Sequence, residues 1–216
     1  AKNLDIFKQS IKGRISYFRG APPYAFPERY LKYVKCEMSP FQYNSYRAVL
    51  SSEDKDSQFR KMKKTISKYG DLTKLPNNFF FGTRMISNIA FPNRKVGQAG
   101  YNSLKGACMS LKNLSKFSPK FYRIIRKIKR CSWTVFVYSN FKEFAGIKTF
   151  IKILEHYGFK NYSKHGEGRK RFAIWSGDEK LSKKEEIRSV FNMQENYNGS
   201  RIKVLLGSPA IKEGVT

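Results

Sequence analysis

The sequence predicts an α/β fold, a mostly parallel sheet with flanking helices, together with a partly helical N-terminal and insertion region. Apolar runs of strand length alternate with helical patterns in the second half of the chain. The 216 residues are enough to bury a sizeable core, and 40% of them are hydrophobic. Strands that alternate with helices need crossover connections, and these connections produce a parallel sheet.

The first half of the chain predicts two regular elements. We expect residues 1–27 to form an irregular leading segment, with one or two basic amphipathic turns around Ile6, Phe7 and Ile11 before glycine and proline interrupt it. Apolar and charged residues alternate from Tyr30 to Met38, which predicts a strand. Ser39 and Pro40 then match the start of a helix. The apolar positions of that helix are Phe41, Tyr43, Tyr46 and Leu50. Residues 51–115 carry a charged run and several loop signals, so we expect a partly helical insertion there.

A helix, a strand and a second helix follow. Ser118 with Pro119 caps a basic amphipathic helix. Its apolar positions are Phe121, Ile124, Ile125 and Ile128. The continuous apolar run from Trp133 to Tyr138 predicts a strand that is covered on both faces. Helical spacing returns from Phe144 to His156, and Gly158 stands where a helix-terminating glycine is expected.

The last third of the chain continues the alternation. A short strand near Arg171 to Trp175 precedes a helix over about Ser182 to Asn192, which we expect to start with a capping box of Ser182 and Glu185. The buried positions of this helix are Ile187, Val190 and Phe191. A turn over Asn196 to Ser200 then leads into a buried strand, Ile202 to Leu206. The predicted divisions are a leading segment with strand and helix over 1–50, an insertion over 51–115, and the α/β domain over 116–216.

The charge balance of the chain is strongly basic. Lys and Arg number 43 against 16 Asp and Glu, which gives a formal net charge of +27. Such an excess favours a polyanionic partner, because release of counterions from phosphates drives sequence-independent nucleic-acid binding. The alternative is that the lysines cover a solvated surface without a specific partner.

Composition argues against several kinds of site. Cys36, Cys108 and Cys131 are far apart and odd in number, so neither a disulfide framework nor a zinc site is indicated. The two histidines, His156 and His165, have no carboxylates at metal-binding spacing. Neither a membrane span nor a signal peptide is visible, so we expect an intracellular protein in a reducing compartment.

Three loops that follow predicted strands could bind a ligand. They are Ser139 to Lys142, Ser176 to Asp178 and Gly207 to Gly214. Each offers a hydroxyl, small residues and N–H groups at a helix start, a combination that suits phosphate. The same residues are also common in ordinary strand-to-helix turns. The sequence contains no GxxxxGK[ST], GxSxG or HExxH motif.

Several segments resemble, in order, the second RecA-like domain of superfamily-two helicases. TVFVYSNF (Thr134 to Phe141) resembles helicase motif IV, and IKVLLGSPAIKEGV (Ile202 to Val215) resembles motif V. IWSGDEKLSKKEEIRSVFN (Ile174 to Asn192) is similar to the region between them. Upstream, three further segments match the Swi/Snf branch: KYVKCEMSPFQYNSY, FGTRMISNIAFPN with its Arg-x-x-x-Asn-x-x-x-Pro pattern, and SPKFYRIIRKI with its Ser-x-Lys-Phe pattern. The nearest resemblance is to the helicase-like ATPases of large nucleocytoplasmic DNA viruses, which include poxvirus early transcription factors and nucleoside triphosphatases.

The resemblance implies that this chain is the second of two RecA-like domains that close around ATP. In this family ATP and Mg²⁺ bind mainly to a first RecA-like domain, whose motifs I to III are absent from this chain. Motif VI with its arginine finger is absent as well, so Thr216 indicates a fragment of a longer protein, and we expect no ATP hydrolysis by the chain alone. The expected partners are DNA or RNA, the missing first domain and a viral RNA polymerase, without a membrane. The expected location is the host cytoplasm, a viral factory or the virion.

The resemblance also assigns site residues. It places the Ser208 hydroxyl on a backbone phosphate and Ser139 and Asn140 in the motif IV loop on the nucleic-acid side. Lys142 and Lys212 are nearby cations. It places Glu213 and Gly214 at the nucleotide cleft. Two alternatives stay open: a non-catalytic nucleic-acid-binding α/β module, and an interaction scaffold whose charge is incidental.

Overall fold

The computed structural model describes residues 3–13, 28–55, 81–177 and 179–209. The chain divides into two compact units, Ala1–Lys35 and Cys36–Thr216. The first unit contains helix α1 (Leu4–Ile11), which has no buried residue and exposes Ile6 and Phe7. It corresponds to the amphipathic turns of the leading segment.

The second unit begins with a set of helices. These are α2 (Pro40–Lys55), α3 (Phe81–Asn88), α4 (Gly97–Ser103), a 3₁₀ turn (Gly106–Met109), α5 (Leu111–Phe117) and α6 (Pro119–Arg130). Two serines start helices here as predicted. The Ser39 Oγ accepts a hydrogen bond from the Gln42 N–H at 3.0 Å, and the Ser118 Oγ accepts one from the Phe121 N–H at 3.0 Å.

Strands and helices alternate in the remainder of this unit. They are β1 (Val135–Tyr138), α7 (Ile147–His156), β2 (Lys160–Asn161), α8 (Tyr162–His165), β3 (Arg171–Trp175), α9 (Leu181–Asn192), a 3₁₀ turn (Gln194–Asn196) and β4 (Val204–Gly207). The strands form a parallel sheet in the order β1-β4-β3-β2. The α/β fold with a parallel sheet and flanking helices is confirmed.

The sheet is sandwiched between two helix layers. On one face, Phe172, Val204 and Leu206 pack in a cluster that includes the buried residues of α5, α6 and α7. On the other face, Ala173 and Leu205 pack with α9. Successive strand residues point to opposite faces, so β3 and β4 read as continuous apolar runs. Buried residues between Ile89 and Phe117 belong to the first cluster as well. The predicted divisions at residues 50 and 115 stay a prediction.

Two strand predictions were wrong. The structure assigns no strand to residues 28–39, and Tyr30 and Tyr33 of the alternating segment are 82% and 88% exposed. The alternation of apolar and charged residues in this segment therefore includes exposed aromatic side chains and does not mark a strand with one buried face. The run Trp133 to Tyr138 was predicted to be covered on both faces. Its strand, β1, lies at one edge of the sheet that the described strands form. It alternates between half-buried and exposed residues, with Phe136 48% exposed.

Other differences lie at helix ends. The helix predicted over Phe144 to His156 begins at Ile147. The predicted capping box is absent, because α9 begins at Leu181 with Lys180 as its N-cap and no side-chain cap bond. Gly158 ends α7 as predicted, at a φ of +80° that glycine adopts easily. No sequence signal predicted β2, which has two residues. Among the described helices, none has the length and apolar character needed to cross a membrane.

Candidate nucleic-acid interface

Three serines lie side by side at the carboxyl edge of the sheet. The last residues of the strands, Tyr138, Gly207 and Trp175, are aligned in register across β1, β4 and β3. Each is followed by a serine: Ser139, Ser208 and Ser176. The Ser139 N–H donates to the Gly207 carbonyl at 3.0 Å, and the Ser208 N–H donates to the Trp175 carbonyl at 3.3 Å. The structure therefore brings together the loops in which Ser139 and Ser208 were predicted to bind, with Ser208 in the middle.

The side chains of Ser176 and Ser208 differ from that of Ser139. Ser176 and Ser208 are only 4% and 3% exposed. No hydrogen bond of either Oγ occurs within the described residues. Buried hydroxyls are normally hydrogen-bonded, so both groups can take a partner from outside the described residues. The Ser139 Oγ instead closes its own loop, because it lies 3.1 Å from both the amide nitrogen and the carbonyl oxygen of Phe141.

The loop after β1 is held tightly against the start of α7. The Phe141 carbonyl accepts a hydrogen bond from the Ile147 N–H at 2.9 Å. Gly146 is buried, and a Cβ at this position would lie 1.6 Å from the Phe141 oxygen. Only glycine fits this approach, so Gly146 fixes the path of the loop. Within the loop, the Asn140 Oδ1 accepts a hydrogen bond from the Tyr138 hydroxyl at 2.8 Å, and Lys142 is exposed.

Two cavities flank this loop. One, of about 420 Å³, is mainly apolar and lies between α3 and the loop, with Met85, Ile89 and Phe144 among its walls. The other, of about 240 Å³, lies between the start of α6 and the end of β1, and Lys120, Ser139 and Asn140 face it. The second cavity is therefore the more polar of the two and adjoins the predicted contact residues.

A group of side chains from α3 and α6 reaches the same place. The Lys120 Nζ donates to the Asn88 Oδ1 at 2.7 Å, and the Ser118 hydroxyl donates to the Asn88 backbone carbonyl. Burial lowers the pKa of the Lys120 ammonium from its ordinary value. The Arg84 guanidinium lies over the Phe141 ring at 5.3 Å from the centroid, within cation-π range.

Three predicted site residues cannot be located. Lys212, Glu213 and Gly214 lie outside the described residues, and their roles remain predictions. Across the described ranges, no three His, Cys, Asp or Glu side chains come together as a metal site requires. Cys36, Cys108 and Cys131 form no disulfide with one another.

Comparison with known proteins gives relatives over nearly the whole chain. The chain is 51% identical over 216 residues to a protein of Acanthamoeba polyphaga mimivirus that is described as an ATP-dependent RNA helicase; the match covers 100% of this chain and 36% of the relative. A protein of Frog virus 3 described as a helicase is 27% identical, covering 98% of this chain and 21% of its own length. The early transcription factor 70 kDa subunit of Yaba monkey tumor virus is 26% identical, covering 99% of this chain and 35% of its own length. No protein-family model matches.

These similarities support the resemblance to the second RecA-like domain of superfamily-two helicases of large DNA viruses. The chain spans between 21% and 36% of the length of these relatives. The sequence resemblance assigned helicase motif IV to the segment of β1 and the loop after it, and motif V to the segment that contains β4. The poxvirus early transcription factor is among the relatives, as the sequence resemblance predicted.

Sequence reasoning named the helicase motifs but missed some neighbouring residues. Arg84 and Asn88 stand four residues apart in the Arg-x-x-x-Asn pattern, and Lys120 stands in the Ser-x-Lys-Phe pattern. Both patterns were visible, yet only the fold shows that they meet through the Lys120–Asn88 hydrogen bond beside the motif IV loop. Ser176 was included among the candidate loops but not among the expected nucleic-acid contacts.

Proposed function

We propose that this chain is the second motor domain of an ATP-dependent nucleic-acid helicase or translocase, used in viral transcription or genome handling. The observation that carries the proposal is the row of Ser139, Ser208 and Ser176 at the carboxyl edge of the sheet. In open α/β sheets this edge is where ligands bind. The helicase-like relatives and the net charge of +27 support a polyanionic ligand there.

The proposed role of these residues is to bind the phosphate backbone of a nucleic-acid strand. The buried Ser208 hydroxyl would gain a hydrogen-bond partner from a phosphate oxygen. Asn140 and the exposed Lys142 would contact the same strand from the motif IV loop, with Lys212 as a further cation. Contacts of this kind fix the position of the strand without reading its bases, so we expect weak sequence preference.

ATP and Mg²⁺ are proposed to bind mainly outside this chain. The described residues contain no cluster of potential metal ligands, and the sequence contains no GxxxxGK[ST] phosphate loop. The described residues therefore do not by themselves supply a Mg²⁺-ATP site. We propose that a first RecA-like domain elsewhere in the protein holds the nucleotide, that Glu213 and Gly214 face it when the domains close, and that the chain alone does not hydrolyse ATP.

The proposal is tested by binding and ATPase assays on the chain and on the full-length protein. We expect oligonucleotide affinity to fall steeply as salt rises, and ATPase activity only in the full-length protein. Ser208→Ala in the full-length protein is expected to weaken stimulation of the ATPase by nucleic acid roughly tenfold, the effect of losing one charge-assisted hydrogen bond. Ser182→Ala, on an exposed position of α9, is the matched control.

The outcomes separate the candidate functions. Salt-independent binding, or unchanged stimulation in Ser208→Ala, would contradict the motor-domain proposal. Salt-dependent binding by a full-length protein that never hydrolyses ATP would instead favour the non-catalytic nucleic-acid-binding module.

A further inference from the structure

Lys120 is a half-buried cation without a carboxylate partner in the described part of the chain. It stands in the first turn of α6 and faces the 240 Å³ cleft beside the motif IV loop. Its Nζ makes one hydrogen bond, to the neutral Asn88 side chain at 2.7 Å. No ion pair joins it to an Asp or Glu of the described ranges.

The surroundings fix this ammonium in place. The Ser118 hydroxyl bonds the Asn88 backbone carbonyl and also caps α6, so α3 and α6 are locked together at this point. An ammonium has three donors, and Asn88 uses one of them. The remaining two are available on the side of the cleft that Ser139 and Asn140 also line.

Partial burial of the Lys120 ammonium affects its protonation. Removal from water disfavours the charged form, in agreement with the lowered pKa of Lys120. Buried charges in proteins are normally paired, so a fixed ammonium that faces a polar cleft favours an anionic ligand. Phosphate is the anion that the adjoining loop is proposed to bind.

We propose that Lys120 binds a backbone phosphate of the nucleic-acid strand, and that Asn88 is the residue that positions it. The strand would then run from the motif IV loop onto the first turn of α6. This inference rests on the proposed function, because it extends the same binding path. It adds a contact that the motif IV and motif V residues do not include.

A second lysine provides a matched comparison. Lys152 is also half-buried, its pKa is also lowered chiefly by burial, and its Nζ also donates to one oxygen, the Tyr101 carbonyl at 2.8 Å. It lies on α7 over the Tyr101 ring and does not line the cleft. A general loss of positive charge or of packing would therefore affect both lysines, whereas loss of a phosphate contact would affect only Lys120.

The test measures oligonucleotide affinity against salt concentration for the full-length protein and its variants. Lys120→Gln is expected to weaken binding roughly tenfold. It should also reduce the slope of log affinity against log salt by about 0.7 for a single strand or about 0.9 for a duplex. Lys152→Gln should leave both quantities unchanged, and Lys120→Arg should retain most of the binding.

Asn88→Asp tests the same idea without removing the lysine. The new carboxylate would neutralise Lys120 while keeping the side-chain shape and the contact between α3 and α6, so it should lower affinity and salt slope with no loss of thermal stability. A tenfold excess of inorganic phosphate over the protein should not displace the bound oligonucleotide, because one free anion lacks the contacts that the neighbouring phosphates of a strand make.

The results have separate meanings for the two proposals. If the wild type binds with steep salt dependence and Ser208→Ala weakens binding, but Lys120→Gln and Asn88→Asp bind as the wild type does, the Lys120 inference is overturned and the motor-domain proposal stands. If the wild type shows no salt-dependent binding, the proposed function fails first. Equal losses in Lys120→Gln and Lys152→Gln would also overturn a specific contact at Lys120.

Discussion

Replacing Asn196 with alanine should destabilise the protein more than any other single polar substitution in its turn. Asn196 is 0% exposed and stands in the turn before β4. Its Nδ2 donates to the carbonyls of Phe191 and Ile202 at 3.0 and 3.1 Å. Its Oδ1 accepts from the N–H groups of Arg201 and Ile202 at 2.9 and 3.0 Å. One side chain thus satisfies four backbone groups and sets the start of the strand that leads to Ser208.

The size of the effect follows from these four bonds. Both groups of Ile202 are buried, so alanine would leave a buried N–H and a buried carbonyl unsatisfied, at about 1 to 3 kcal/mol each. The groups of Phe191 and Arg201 are only partly buried and can be hydrated, so they add less. We expect a total loss of roughly 3 to 5 kcal/mol in the free energy of unfolding. That is a large share of the stability of an ordinary domain.

Urea unfolding, followed by tryptophan fluorescence, measures this loss. Asn198→Ala is the control: Asn198 is exposed in the same turn and accepts one hydrogen bond, from the Ser200 N–H at 3.0 Å, so it should cost less than about 1 kcal/mol. Asn196→Asp keeps the side-chain volume and both accepted bonds but removes the two donors. It should therefore also destabilise at neutral pH. Wild-type stability in Asn196→Asp, or equal losses in Asn196→Ala and Asn198→Ala, would refute this reasoning.

Two further predictions concern the motif IV loop and the α9 face. Gly146→Ala would place a methyl group 1.6 Å from the Phe141 oxygen. We therefore expect the free energy of unfolding, measured by thermal unfolding, to fall by roughly 2 kcal/mol or more, and oligonucleotide binding to weaken. Gly106→Ala has open space and should cost only the backbone strain of its positive φ, about 1 kcal/mol, and should bind normally; equal effects of the two variants would contradict the proposed constraint. Burial and the hydrogen bond to Glu186 raise the pKa of Tyr162 from 10.0 to about 12. Because the neutral phenol is favoured in the folded state, its contribution is present below pH 10.0 and is lost as the pH rises through about 12. The stability advantage of the wild type over Tyr162→Phe should therefore shrink across that interval in urea unfolding at successive pH values, and a constant difference would exclude this linkage.

The sequence was sufficient for most of the regular elements of the sheet domain. Ser118 with Pro119, the apolar spacing of α6 and α7, and the buried runs of β3 and β4 are local signals, and each identified its element. Strand β2 has only two residues, too few to show a periodic pattern of apolar residues. The Ser182 and Glu185 pair has the spacing of a capping box, but Ser182 lies inside α9, whose N-cap is Lys180.

The candidate site was predictable only in part. The loops that carry Ser139 and Ser208 follow recognisable strands, and parallel strands bring such loops to one edge. Local sequence could not indicate that β1 is an edge strand, because an apolar run looks the same in the middle of a sheet. It also could not indicate that α2 buries Gln42 while exposing Tyr43. That choice depends on the Ile86 carbonyl, which accepts a hydrogen bond from the Gln42 Nε2 at 2.7 Å.

The sequence by itself determined the α/β class, the basic charge and the helicase motifs, because these depend on residue types and on spacing within a few turns of chain. Only the tertiary structure decided which residues meet. The strand order β1-β4-β3-β2 places Ser208 between Ser139 and Ser176, and the packing of α3 against α6 brings Asn88 to Lys120 across 32 positions of sequence. Contacts between distant segments arise from the shared core, and no local pattern encodes them.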